Sequence, residues 1–308
     1  MKNLNLFLCM MASCLFLHGC FNTSPREQNL TVLPQDTIFS YLLRGLPVID
    51  LTKNYPEMDF IMDEVDKEFI PLETSANVLA DRDFKIEYVS DNRIVGTNRN
   101  RGDILIFGRD GKIISYFNHK GKSGIDYSNI VSIVYDEANK EIFVADHFFK
   151  NRCAVYSEDG KFLRQFYFPP KSWITELYNF DEQTLLVYNG YNDNKSADDI
   201  NQKMPYVFLS KKDGKVVSRV DVSLPKRIDD SHITYQAPDE IRAITITPNR
   251  NIKYGQELII ADRSSDTVFL FTQDKKLTPL FVRTPSAFDE DHIIVMSVHF
   301  KTERYLFF

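Results

Sequence analysis

From Val48 onward the chain consists of short runs of β-branched and aromatic residues, separated by Asp-Gly, Asn and Lys turns. This pattern predicts an antiparallel all-β protein with no long amphipathic helix; the only helical hint is at 36–43. One stretch reads most clearly, with apolar runs at 130–136, 141–146, 153–157 and 162–166 and a turn at Asp159-Gly160 before the last. It predicts four strands joined by hairpins. The same paragraph precedes it at 85–89, 93–97, 103–107 and 113–117, turning at Asp110-Gly111, and follows it at 174–180, 184–188, 206–210 and 216–220, turning at Asp213-Gly214. That third copy carries a polar insertion at 192–203. A fourth is expected at 241–247, 258–262, 268–272 and 277–282, turning at Asp274-Lys275.

The turn aspartates Asp110, Asp159, Asp213 and Asp274 recur at spacings of 49, 54 and 61 residues, close to the ~40 to 50 residues of a propeller blade, with the excess in loops. A lone four-stranded sheet cannot bury both faces, so repetition predicts blades stacked radially into a β-propeller. The predicted propeller domain is 46–308. The chain stops in what should be the second strand of a fifth blade, which suggests truncation. The edge at 293–308, rich in Ile, Val, Tyr and Phe, would then be a template for strand pairing.

The first 45 residues are different in kind. Lys2 precedes an apolar run from Leu4 to Leu17 that is too short to span a membrane, as in a secretory signal. The run ends Leu17-His18-Gly19-Cys20. Leu17 is unsuited to an ordinary signal-peptidase site, whereas Gly19 before Cys20 is similar to a bacterial lipobox, in which the cysteine is lipidated and becomes the mature N-terminus. Residues 1–19 are therefore expected to be a lipoprotein signal peptide. Residues 20–45, polar and punctuated by Pro25 and Pro34, are read as lipidated Cys20 and a tether.

Ile142-Phe-Val-Ala-Asp146 with Arg152, then Val155-Tyr156 and Asp159-Gly160, resembles an NHL-type propeller repeat, and Leu258-Ile-Ile-Ala-Asp262 repeats it. With the lipobox, the run Val48-Ile-Asp-Leu51 and Glu68-Phe-Ile-Pro-Leu-Glu73, the chain from about 48 to 308 resembles the six-bladed β-propeller lipoproteins common in Bacteroidota. The resemblance implies a cell-envelope location. No acidic export tag follows Phe21-Asn-Thr-Ser24, which favours a periplasm-facing anchor over the cell surface.

Composition narrows the function. Among 308 residues, 37 basic against 43 acidic side chains give a formal charge of −6, which argues against a nucleic-acid partner. Cleavage after Gly19 leaves Cys20, whose thiol would carry lipid, and Cys153, so no internal disulfide is expected. Nucleophilic catalysis finds no Gly-x-Ser-x-Gly, Gly121-Lys122-Ser123 lacks the first glycine of a phosphate loop, and the histidines lack paired zinc spacing. No cofactor is assigned, with calcium or zinc left open.

Candidate chemistry lies in the loops after the second strands, where polar residues fall at matching repeat positions: Asn98-Arg99-Asn100-Arg101, Asp146-His147, Asn189-Gly190-Tyr191 and Asp262-Arg263. Arg99 and Arg101 could hold a carboxylate or phosphate, though a surface ion pair beside Asp103 is preferred. Asp146 and Asp262 are expected to accept backbone N–H bonds at turns. Tyr188, Tyr191 and Trp173 could offer faces to a sugar, with packing between blades as the plainer role. Arg99, Arg101, Asp146, His147, Tyr188, Asn189, Tyr191, Asp262 and Arg263 form the candidate ligand site. The function expected is non-enzymatic binding of a carbohydrate, peptide or protein by a propeller held to the membrane through lipid on Cys20. The alternative is a metal-dependent, lactonase-like hydrolase or lyase with its site at the channel mouth.

Overall fold

The structure, a computed structural model, describes residues 45–55, 68–75, 81–146, 151–190, 199–224, 226–228, 233–236, 241–244, 251–254, 256–289, 296, 298–301 and 306–307. The signal peptide, Cys20 and the tether lie outside the described residues. The chain divides into two compact units, one holding 66–225 and the other 226–308 with the segment containing strand β1 (Val48–Asp50).

In the first unit three four-stranded antiparallel sheets follow in chain order. The first comprises β2 (Phe84–Val89), β3 (Arg93–Asn98), β4 (Asp103–Gly108) and β5 (Ile113–Asn118). The second comprises β6 (Ser132–Asp136), β7 (Glu141–Asp146), β8 (Arg152–Ser157) and β9 (Phe162–Tyr167). The third comprises β10 (Ile174–Asn179), β11 (Thr184–Asn189), β12 (Tyr206–Ser210) and β13 (Val216–Arg219). All three match the predicted runs to within two residues at each end.

Burial explains why the middle strands are continuously apolar while the last ones alternate. β3, β4, β7 and β8 are buried at nearly every position, because the second sheet lies between the first and the third, and the first is covered on its other face by Ile70 and Leu72. In β7 and β8, Ile142, Val144, Ala154 and Tyr156 pack with Val95, Ile104 and Ile106 of the preceding sheet, whereas Phe143, Cys153 and Val155 pack with Leu185, Val187 and Val207 of the following one. The side-chain period of two thus feeds two cores at once. β5 and β9 read intermediate-exposed-intermediate-exposed, as outer strands wet on one side should. The first strands lie side by side, and the Leu177 N–H of β10 donates to Ser132 Oγ of β6 at 3.1 Å.

The tight turns carry their expected chemistry. Gly111 and Gly160 adopt φ of +80° and +83°, a region open to glycine. A Cβ on Gly111 would also come within 2.1 Å of the Pro71 carbonyl oxygen. Asp110 accepts the Lys112 N–H at 3.1 Å and Asp213 that of Lys215 at 3.3 Å. At the fourth turn Lys275 takes φ +62° in place of glycine.

The second unit corrects the fourth copy. Its sheet runs β1, β19 (Leu277–Thr284), β18 (Thr267–Phe271), β17 (Glu257–Ile260) and β16 (Asn251–Tyr254). The first strand is therefore Asn251–Tyr254 rather than 241–247. Residues 241–244 do form a strand, β15 (Ile241–Ile244), but it pairs with β14 (Ile233–Gln236) in a separate hairpin. The Tyr254 to Glu257 hairpin closes a far shorter loop than a connection from Ile244 would. β1 adds to β19 in parallel, Val48 opposite Val282. The final pair, β20 (Phe300–Lys301) and β21 (Leu306–Phe307), is a short antiparallel hairpin. The insertion in the third sheet contains one helical turn, α1 (Ile200–Lys203), capped by the Asp199 carboxylate.

Candidate functional site

Because alternate strands run in opposite directions, every second and fourth strand of a sheet finishes at the same end. The residues closing the second strands occupy one repeat position, and all are buried: Asn98 (1% exposed), Asp146 (0%), Asn189 (2%) and, two residues beyond β17, Asp262 (2%). Their role is common. Asn98 Oδ1 accepts the Arg101 N–H at 2.9 Å, and its amide donates to Asp81 at 2.7 Å. Asp146 accepts the Ser128 N–H at 2.9 Å and the Ser128 hydroxyl. Asn189 accepts the Trp173 N–H at 2.8 Å and donates to the Asn201 carbonyl at 3.2 Å. Asp262 accepts the Ser264 N–H at 2.9 Å. Each satisfies loop N–H groups that burial would otherwise orphan.

The arginines beside them are also engaged. Arg99 donates from Nε and Nη2 to Glu87 at 3.0 and 2.9 Å and from Nη1 to the Val131 carbonyl at 2.6 Å. Arg101 pairs with Asp103 at 2.6 Å and Asp81 at 2.5 Å. Side-chain hydrogen bonding to Asp103 holds the Arg101 guanidinium above its usual range. Tyr188 is 2% exposed and packs edge-on against Tyr206 with ring centroids 5.0 Å apart. Arg263 is buried, and its carbonyl accepts Arg283 Nη2 at 2.5 Å. His147 and Tyr191 lie outside the described residues. The structure thus brings Asn189, Trp173 and α1 together, and separately Arg99 with Glu87 and Arg101 with Asp103.

Two features of this end were not singled out as site residues. Arg152, 2% exposed, donates to the Gly124 carbonyl at 2.5 Å, the Asp126 carbonyl and Gln165, with Nε 4.0 Å from Asp146. It binds the loop before β6 to the start of β8. Beneath it Tyr127 and Tyr156 meet edge-on at 5.8 Å. Tyr127 donates to the Gly102 carbonyl at 2.5 Å and accepts the His119 N–H at 3.0 Å, and burial drives its phenol far above the ordinary range. The only sequence signal was Arg152 following Asp146 in the NHL-like repeat.

At the opposite end of the first two sheets lies a cleft of about 490 Å³ lined by Ile114, Leu163, Asn139, Lys140 and Glu158. Glu158 accepts from Arg93 Nε at 2.6 Å and Tyr135 at 3.0 Å. Nearby, Tyr88 donates to Glu137 at 2.8 Å, and burial, followed by that bond, pushes its phenol up to about 12. Among the described residues no three His, Cys, Asp or Glu side chains converge as a metal site requires, and no helix is long and apolar enough to cross a membrane. Burial pushes the Cys153 thiol far up, away from nucleophilic thiolate.

The four-stranded antiparallel blades define a β-propeller. Residues 46–284 match the family described as a domain of unknown function, DUF4934, and the chain belongs to that family. No curated protein matches. A Bacteroides fragilis protein described as exported has a similar crystal structure, with a TM-score of 0.51 at 14% identity over 70% of this chain and 55% of that one. The chain therefore spans little more than half of that relative's length. Slighter likenesses are a Bacteroides caccae protein of unknown function, with a TM-score of 0.35 at 12% identity over 63% and 59% of the two chains, and a Staphylococcus aureus virginiamycin B lyase, at 0.34 and 16% over 65% and 69%.

Proposed function

We propose that this chain is a lipid-anchored propeller of the bacterial cell envelope that binds a ligand or partner protein without transforming it. The lipobox ending in Cys20 and the likeness to an exported Bacteroides protein support the location. The repeat and the lipobox together support a place among the six-bladed, NHL-like lipoproteins, with a periplasm-facing anchor.

One observation carries the binding reading. Asn98 and Asp262 accept N–H groups of the loops they begin, whereas Asp146 and Asn189 accept N–H groups of the loops that precede β6 and β10. In the first unit Asn98, Asp146 and Asn189 thus brace the loops at one end of the sheets, and the outward-facing residues of those loops are displayed for recognition.

Growth with labelled palmitate tests the anchor: the wild-type chain takes up label and Cys20→Ala does not, whereas label retained in Cys20→Ala refutes it. Thermal-shift screening of the purified chain against envelope glycans and peptides tests binding. A tightly held stoichiometric metal ion in the purified protein would favour the hydrolase or lyase instead.

A further inference from the structure

Besides Phe69 and Val89, large apolar side chains are exposed in the first unit in two settings. Ile114, Tyr116 and Leu163 sit on the outer strands β5 and β9, where the alternation of a half-wet strand accounts for them, and Val216 and Val217 are exposed at successive positions of the outer strand β13. In the second setting Tyr167 follows the alternation of β9, whereas three residues in loops have no such account. Ile125 (47%), Tyr167 (65%), Trp173 (45%) and Ile200 (50%) are exposed at the end where second and fourth strands finish. Tyr167 closes β9, and the other three lie in the loops that leave that end.

Ile125 and Tyr167 are anchored to one sheet, and Trp173 and Ile200 to the next. Tyr156 donates to the Ile125 carbonyl at 2.6 Å, and Arg152 to the Gly124 carbonyl. Arg152 is the strand partner of Tyr167. Asn189 takes the Trp173 N–H on one side and donates to Asn201 of α1, next to Ile200, on the other. Exposed lysines, Lys122 and Lys171, stand among them. Among the described residues, the Asp126 carboxylate accepts the Ser123 N–H at 2.9 Å and the Asp199 carboxylate accepts the Asn201 N–H at 2.9 Å.

We propose that this end of the first unit, Ile125, Tyr167, Trp173 and Ile200 flanked by Lys122 and Lys171, is a membrane-docking surface that seats the body on an anionic lipid bilayer. Rigidly presented Trp and Tyr partition to the headgroup level, aliphatic tips enter the acyl boundary, and lysines meet anionic headgroups. The 28 residues from Cys20 to Val48 can reach up to roughly 90 Å when extended. The tether therefore leaves the choice of membrane-facing surface to the body itself. The proposal builds on the envelope location above, but the docking contact needs no lipid on Cys20.

Trp173 is the only tryptophan, so intrinsic fluorescence reports on this surface alone. The chain from residue 20, carrying Cys20→Ala and hence unlipidated, is titrated with vesicles of phosphatidylethanolamine and phosphatidylglycerol. The expected result is a blue shift of Trp173 emission and quenching by acyl chains brominated near the headgroup. Ile125→Ser with Tyr167→Ser should abolish the shift, and Lys171→Glu should weaken partitioning by roughly tenfold. Val216→Ser with Val217→Ser, on the outer strand, should leave it unchanged. Emission indifferent to saturating vesicles overturns the proposal. So does a shift produced by soluble glycans and not by vesicles, which would assign the surface to carbohydrate. Failure of palmitate labelling would remove the anchor and leave this result standing.

Discussion

Lys211→Met tests how the second and third blades are joined. Lys211 Nζ lies 2.7 Å from Asp136 Oδ2, with side chains 7% and 3% exposed. Burial pushes the Asp136 carboxyl up, but hydrogen bonds from Lys211 and Asn139 outweigh it and hold the group below the ordinary carboxylate range. Methionine keeps the methylenes and removes the charge, leaving Asp136 with the Asn139 amide at 2.9 Å. Breaking a buried pair from one side costs about 3 to 5 kcal/mol, and the surviving amide bond puts this case near ~3. For a unit of this size that corresponds to a fall in Tm of roughly 10 °C. Because the wild-type folded pKa lies below the unfolded value, the Asp136 contribution is complete above the unfolded pKa and fades as pH falls through the folded one. In the variant only the Asn139 hydrogen bonds still oppose burial, the folded pKa rises, and the penalty is relieved as acid protonates the carboxyl. The gap between the proteins should therefore be widest near neutrality and close towards low pH. Urea denaturation followed by Trp173 fluorescence at several pH values measures it. Adding Asp136→Asn to Lys211→Met should recover part of the loss. A loss under 1 kcal/mol at pH 7, or a gap constant with pH, would refute the reasoning.

Two further outcomes follow from buried groups. Tyr127→Phe removes the hydroxyl that joins the Gly102 carbonyl to the His119 N–H and should cost about 1 to 3 kcal/mol in urea denaturation, because both backbone groups stay buried without their partner. Cys153, fully buried with its thiol pushed up, should resist a thiol-specific disulfide reagent in the folded Cys20→Ala chain and react once on unfolding; fast reaction in the native state would contradict the packing between blades.

Much of the blade was legible because its signals are local. Alternation of period two, Asp-Gly at positive φ and a recurrent four-run paragraph placed the strands of the first three sheets within two residues. The repeat register also aligned Asn98, Asp146, Asn189 and Asp262 before any contact was visible, and two of them, Asp146 and Asp262, accept turn N–H groups as expected. The fourth sheet was legible only in its last three strands. Ile241–Ile244 is a strand by any local measure, yet its partner is Ile233–Gln236 and the sheet takes Asn251–Tyr254 instead.

Sequence alone therefore determined the element type, the blade repeat and the polar repeat position, since each depends on neighbours within a hairpin. Tertiary structure decided the parallel pairing of β1 with β19, the burial of Arg152 against loop carbonyls, the Lys211–Asp136 pair spanning two blades, and the gathering of Ile125, Tyr167, Trp173 and Ile200 at one end. These join positions tens of residues apart, and no periodicity encodes which distant groups meet. That depends on how blades stack, where burial forces each polar group to find whatever partner the neighbouring loop presents.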